Sequence, residues 1–121
     1  MTSNAGSQKI VTLKVANLND ALSDFRSAWV SAKATAPVIA FATWNLMHKA
    51  LTPKRLGLLK TLCGQEPMSI RELARRVDRD FKGVHTDVIL LANAGIIERE
   101  GSRITFPFDG IHVEFDIGVA A

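Results

Sequence analysis

The stretch SIRELARRVDRDFKGVHTDVILLANAG, residues 69–95, decides the fold. It opens on Ser69-Ile70-Arg71-Glu72, an S-x-x-E capping box in which the serine hydroxyl and the glutamate carboxylate each satisfy an orphan backbone donor at a helix start. Ile70, Leu73, Ala74 and Val77 follow at helical spacing and define an inner face, which pushes Arg71, Arg75 and Arg76 outward. After a three-residue turn, Asp80 caps a second helix with Phe81, Val84, Val88 and Leu91 directed inward. Ile89 and Leu90 widen its apolar face, and Gly95 ends it in a left-handed cap. The segment reads as two short helices around a tight turn.

Working outward, a third helix precedes this pair. Thr52 is its N-cap and Pro53 occupies the first helical position, where the missing N–H costs nothing. Leu56, Leu59, Leu62 and Cys63 form its buried side, and Gly64 stops it before the Gln65-Glu66-Pro67 loop. Behind the pair, Ile96 to Glu100 and Arg103 to Phe106 read as strands around Gly101-Ser102, a two-residue turn with glycine in its first central position. That register sets Ile97 opposite Phe106, Arg99 opposite Ile104 and Glu100 opposite Arg103. A closing strand alternates Ile111, Val113, Phe115 and Ile117 with His112, Glu114 and Asp116.

Further from the centre the pattern is simpler. Met1 to Gln8 is polar and reads as a disordered N-terminus. Lys9 to Val15 alternates as a strand, and Asn17 caps a helix to Ala32 with Leu18, Leu22, Phe25, Trp29 and Ala32 on one stripe. Pro37 punctuates, Val38 to Ala42 reads as a short buried strand, and Thr43 caps a helix whose Trp44, Met47 and Leu51 face inward. The expected fold class is therefore α+β: a winged helix-turn-helix domain over residues 51–121 with an N-terminal strand-helix-strand-helix extension over residues 9–50.

Composition narrows the function classes. A chain of 121 residues with 47% hydrophobic and 22% charged residues has the material for one folded core. Its longest apolar runs are far too short to cross a bilayer and no basic-then-apolar leader opens it, so the expectation is a cytoplasmic protein with no membrane partner. The single cysteine, Cys63, reads as a buried free thiol. His48, His85 and His112 lack metal-ligand spacing, and the polar face of His112, Glu114 and Asp116 is what any half-buried strand produces. No phosphate-binding glycine motif or nucleophile elbow is present; the reading is no enzyme, no metal and no cofactor. Net charge is only +3, but it is uneven: Thr52 to Lys82 carries eight Lys and Arg against four acids, and Gly83 to the end carries two against six. A local basic cluster of that kind is what counterion release rewards on a phosphate backbone.

The segments LTPKRLGLLKTL, SIRELARRVDRDFKGVHTDVILLANAGIIERE and RITFPFDGIHVEFDI resemble, from Leu51 to Ile117, the MarR-like winged helix-turn-helix regulators of bacteria and archaea. Within these they are most similar to a group of small predicted regulators, some regarded as antitoxin-like. The resemblance implies that the helix from Asp80 to Ala94 lies in the major groove of double-stranded DNA while the hairpin from Ile97 to Phe106 contacts backbone or minor groove as a wing. Lys82, Gly83, His85 and Thr86 then face base edges or phosphate, and Gly83 permits close backbone approach. Lys54, Arg55, Arg71, Arg75, Arg76, Arg79, Arg99 and Arg103 supply sequence-independent affinity. Asp78 departs from the glycine many members carry in the turn, although aspartate also tolerates the left-handed conformation. The expected function is transcriptional regulation, as a homodimeric repressor. The alternative is a protein-interaction module or antitoxin that binds a partner protein, such as a toxin, through its N-terminal half.

Overall fold

The computed structural model describes residues 9–16, 37–115 and 117. The N-terminal eight residues, the expected helix from Asn17 to Ala32 and Asp116 lie outside the described residues. The described chain is mixed α+β, with two three-stranded sheets and four helices.

Local signals place the helices. Thr43 caps α1 (Trp44–Ala50), its hydroxyl accepting from the Leu46 N–H. Thr52 caps α2 (Pro53–Leu62) by accepting from Arg55 N–H, with Pro53 in the first turn. Ser69 caps α3 (Ile70–Val77) through the Glu72 N–H at 3.0 Å, and Asp80 caps α4 (Phe81–Asn93) through the Gly83 N–H at 2.9 Å. The second half of the expected capping box takes another form: both Glu72 oxygens are engaged by Arg75 and Arg76. Two helix ends share one device. Gly95 (φ 81°) closes α4 with its own N–H on Ala92 and that of Ile96 on Leu91. Asp78 (φ 56°) closes α3 with its N–H on Arg75 and that of Arg79 on Ala74. Aspartate thus holds the left-handed position that glycine holds in the other helix.

The antiparallel sheet has the order β3-β5-β4, formed by β3 (Met68–Ser69), β4 (Glu98–Glu100) and β5 (Arg103–Thr105). Arg99 pairs with Ile104 and Glu100 with Arg103, the register set by the turn at Gly101 (φ 64°). Ser69 therefore serves as both strand residue and helix cap, joining this hairpin to the start of α3.

The other sheet is wholly parallel. β1 (Ile10–Val15) lies between β2 (Val38–Phe41) and β6 (Gly110–Glu114). The closing strand, assigned by sequence to the helical domain, thus pairs in the same chain with the first strand, and everything from α1 to β5 is the connection between β2 and β6. Asp109 clasps the join: its N–H donates to the Lys9 carbonyl at 2.7 Å and its carboxylate accepts from the Lys9 N–H at 2.9 Å. One core runs through both parts, from Val11 and Leu13 through Met47, Leu58, Leu59, Leu62, Leu73, Val84, Val88 and Leu91 to Ile96, Ile104 and Phe106.

Several expected core positions prove to be outside. Val38 and Ala40 alternate with Ile39 and Phe41, which pack on the core, so Val38 lies on the uncovered face of the sheet; Val113 and Phe115 are exposed as well. In α2 the inner stripe is Arg55, Leu58, Leu59 and Leu62, and this phase turns Leu56 to solvent. Trp44 (44% exposed) and Phe81 (42% exposed) each occupy the first position of a helix, where the chain projects beyond the packed body.

Candidate nucleic-acid interface

The α3-turn-α4 unit is locked by a buried acid. Asp87 lies on the inner face of α4, one turn from Val84 and Leu91, at a position where helical spacing asks for an apolar residue. Its Oδ1 accepts from Arg55 Nε at 3.0 Å and its Oδ2 from Arg79 Nη2 at 2.8 Å. Arg55 also donates through Nη1 to the Lys49 carbonyl. The side chains of Arg55, Arg79 and Asp87 are only 16%, 23% and 12% exposed, so the cluster ties α2, the turn and α4 together in a weakly solvated place. Arg79 Nη1 is buried there without a hydrogen-bond partner.

Arg55 and Arg79, both expected at phosphates, are here engaged by Asp87, and their contacts hold α2, the turn and α4 together. Sequence reasoning also passed over Asp87, whose signal was present: a charged residue at i+3 from Val84 and one before Val88 falls within a buried stripe and demands cationic partners.

The other expected residues remain at the surface. Lys82, His85 and Thr86 are exposed on the first turns of α4; the Thr86 hydroxyl donates to the Lys82 carbonyl at 3.1 Å. Gly83 is half-buried, and a Cβ there would stand 3.2 Å from Asp80 Oδ1 and 3.3 Å from Arg79 Nη2. The glycine lets the capping carboxylate and the Arg79 guanidinium close over the helix start. Lys54 is exposed at the start of α2, and Arg99 and Arg103 are exposed on the hairpin.

Charge on α3 is partly compensated. Arg75 donates to both Glu72 oxygens at 2.9 and 2.6 Å, and Arg76 donates to one at 2.8 Å and to Gln65 Oε1 at 3.2 Å. Hydrogen bonds from Arg75 first and Arg76 second hold the Glu72 carboxyl down to about 2, and the same contact raises Arg75. These arginines are oriented as a pair, with one of their two charges neutralised. Arg71 differs: its guanidinium lies 4.9 Å from the centre of the Phe81 ring.

On the far side, Trp44 stacks on Phe115 at 4.4 Å and on His48 at 5.6 Å. Trp44, Met47, His48, Leu51, Leu56 and Val113 line an apolar groove of about 220 Å³. Cys63 is half-buried, and burial first, then Asp109, pushes its thiol up. Among the described residues no three His, Cys, Asp or Glu side chains meet in metal-binding geometry, and no helix is long and apolar enough to cross a membrane.

Fold and surface together define a small α+β protein that presents a capped, charge-locked helix pair with exposed cations. The chain belongs to the HVO_A0114 family, whose model matches residues 50–113, from the end of α1 to β6. Comparison with curated proteins and with solved structures found no match.

Proposed function

We propose that this protein is a winged helix-turn-helix transcriptional regulator of the MarR-like type, a cytoplasmic repressor that reads double-stranded DNA with α4 and touches the backbone with the β4-β5 hairpin. The reading rests on one observation above the others: the outward residues at the start of α4 are Lys82, His85 and Thr86, all exposed, while Val84, Asp87, Val88 and Leu91 hold the helix from beneath. A rigid helix with donors on its free face meets the geometric need of major-groove readout. Arg75, Arg76, Lys54, Arg99 and Arg103 add phosphate affinity, Arg71 reaches the DNA from beside Phe81, and Arg55 and Arg79 act indirectly by fixing the helix.

A homodimer would set two copies of α4 on half-sites about one helical turn of DNA apart. The exposed Trp44, Leu56, Val113 and Phe115 favour such pairing, since a contiguous apolar surface of this kind marks a protein contact. The same surface supports the second reading, an interaction module or antitoxin that covers a partner protein. Fluorescence anisotropy with duplexes enriched from a random library, at two salt concentrations, tests the first reading. Salt-dependent, sequence-selective binding sustains it, and failure to enrich any sequence while the protein captures a partner chain transfers the case to the second.

A further inference from the structure

Phe81 is the anomaly of the helix pair: a large aromatic residue at the head of α4, directed away from the core. It is not loosely placed. Arg71, from the first turn of α3, lies over its ring at 4.9 Å, and His85, one turn along α4, packs against it at 5.6 Å with the planes tilted by 34°. Three side chains from two helices form one stacked ledge beside Lys82. Among the described residues every other arginine of the helical pair is tied to a carboxylate: Arg75 and Arg76 to Glu72, Arg79 to Asp87. Arg71 is paired with a ring, which fixes the guanidinium plane and leaves its N–H fork without an acidic competitor.

We propose that this ledge is a specificity element for a thymine next to a guanine, resting on the DNA-binding reading above. Thymine presents the one methyl group in the major groove, and a solvent-facing phenyl edge is its natural complement. Guanine presents O6 and N7, which a planar, pre-oriented guanidinium meets with two hydrogen bonds. Apolar ring and braced arginine side by side therefore match thymine and guanine side by side. Phe81 supplies the apolar contact, Arg71 the bidentate one, and His85 supports the ring.

The test uses the full-length protein and the duplex it enriches from a random library. Replacing the thymine by deoxyuridine removes only the methyl group, and replacing the guanine by 7-deazaguanine removes only N7. For the wild type the first change weakens binding about fourfold, the worth of one buried methyl, and the second about tenfold, the low end for a bidentate pair. Phe81→Ala abolishes the sensitivity to deoxyuridine and only weakens that to 7-deazaguanine, because Arg71 loses its brace but keeps its N–H fork; Arg71→Ala abolishes the sensitivity to 7-deazaguanine and keeps that to deoxyuridine. Both residues are exposed, so thermal melts of the two variants stay within a few degrees of the wild type and separate readout from folding. If Phe81→Ala retains the full deoxyuridine effect, or the enriched sequence has no thymine beside guanine, the ledge does not read DNA even though DNA binding stands. If no sequence is enriched at all, it is the regulator reading that falls.

Discussion

Substituting Asp87 by alanine removes the anion that two guanidiniums share. Arg55 and Arg79 then face each other's charge in a site where they are 16% and 23% exposed. Removing one partner of a fully buried ion pair costs about 3–5 kcal/mol, because the remaining charge loses its partner without regaining water. The residual exposure here lets some water return, which brings the expected loss to about 3 kcal/mol. In a domain of this size that is a fall of roughly 10 °C in Tm. Urea and thermal unfolding followed by far-ultraviolet circular dichroism measure it. The triple variant Asp87→Leu, Arg55→Met, Arg79→Met replaces charge by apolar volume and recovers most of the loss, since a dehydrated ion cluster contributes little net stability over a packed apolar one. A loss below about 0.5 kcal/mol for Asp87→Ala, the range of an ordinary surface substitution, would refute the reasoning, as would purely additive effects of Asp87→Ala and Arg55→Met.

Other outcomes follow from the same geometry. Lys82→Ala weakens binding to the enriched duplex and lowers the log–log salt slope by about 0.9, the signature of one lost phosphate contact, measured by anisotropy across a salt series. Glu72 is held at about 2 in the folded protein against an ordinary 4.5, so its contribution is present above pH 4.5 and is lost as the pH falls toward 2; Glu72→Gln flattens that limb of the acid-unfolding curve. Asp78 sits at φ 56°, so Asp78→Gly is close to neutral or mildly stabilising while Asp78→Val costs about 1–2 kcal/mol by denaturant titration. The raised Cys63 thiol is slow to alkylate with iodoacetamide at neutral pH compared with a free cysteine, and unfolding in urea brings the rate to the free value.

The legible part of the fold is the part written in short-range chemistry. Thr43, Thr52, Ser69 and Asp80 each cap the helix expected of them, because a hydroxyl or carboxylate reaches an N–H two or three residues away whatever the rest of the chain does. The hairpin register followed from Gly101-Ser102 for the same reason. The site was half legible. Lys82, His85 and Thr86 could be placed outside from the phase of Val84, Val88 and Leu91 alone, whereas the outward Phe81 could not, since it lies on the border of that stripe and its neighbours Arg71 and His85 are a matter of helix packing.

By itself, then, the amino-acid order determined where each described helix begins, how the hairpin pairs, and where most of the greasy face of α4 lies. Backbone hydrogen bonds, left-handed glycine positions and side-chain periodicity act over a handful of residues and carry their own address. Tertiary structure decided what depends on distant partners: that β6 returns to pair with β1, that α2 turns Leu58 inward and Leu56 outward, and that Arg55 and Arg79 are drawn from the surface to Asp87. Each of those outcomes is a competition between desolvation and a contact made many residues away or across a helix junction, and no local pattern records which contact wins.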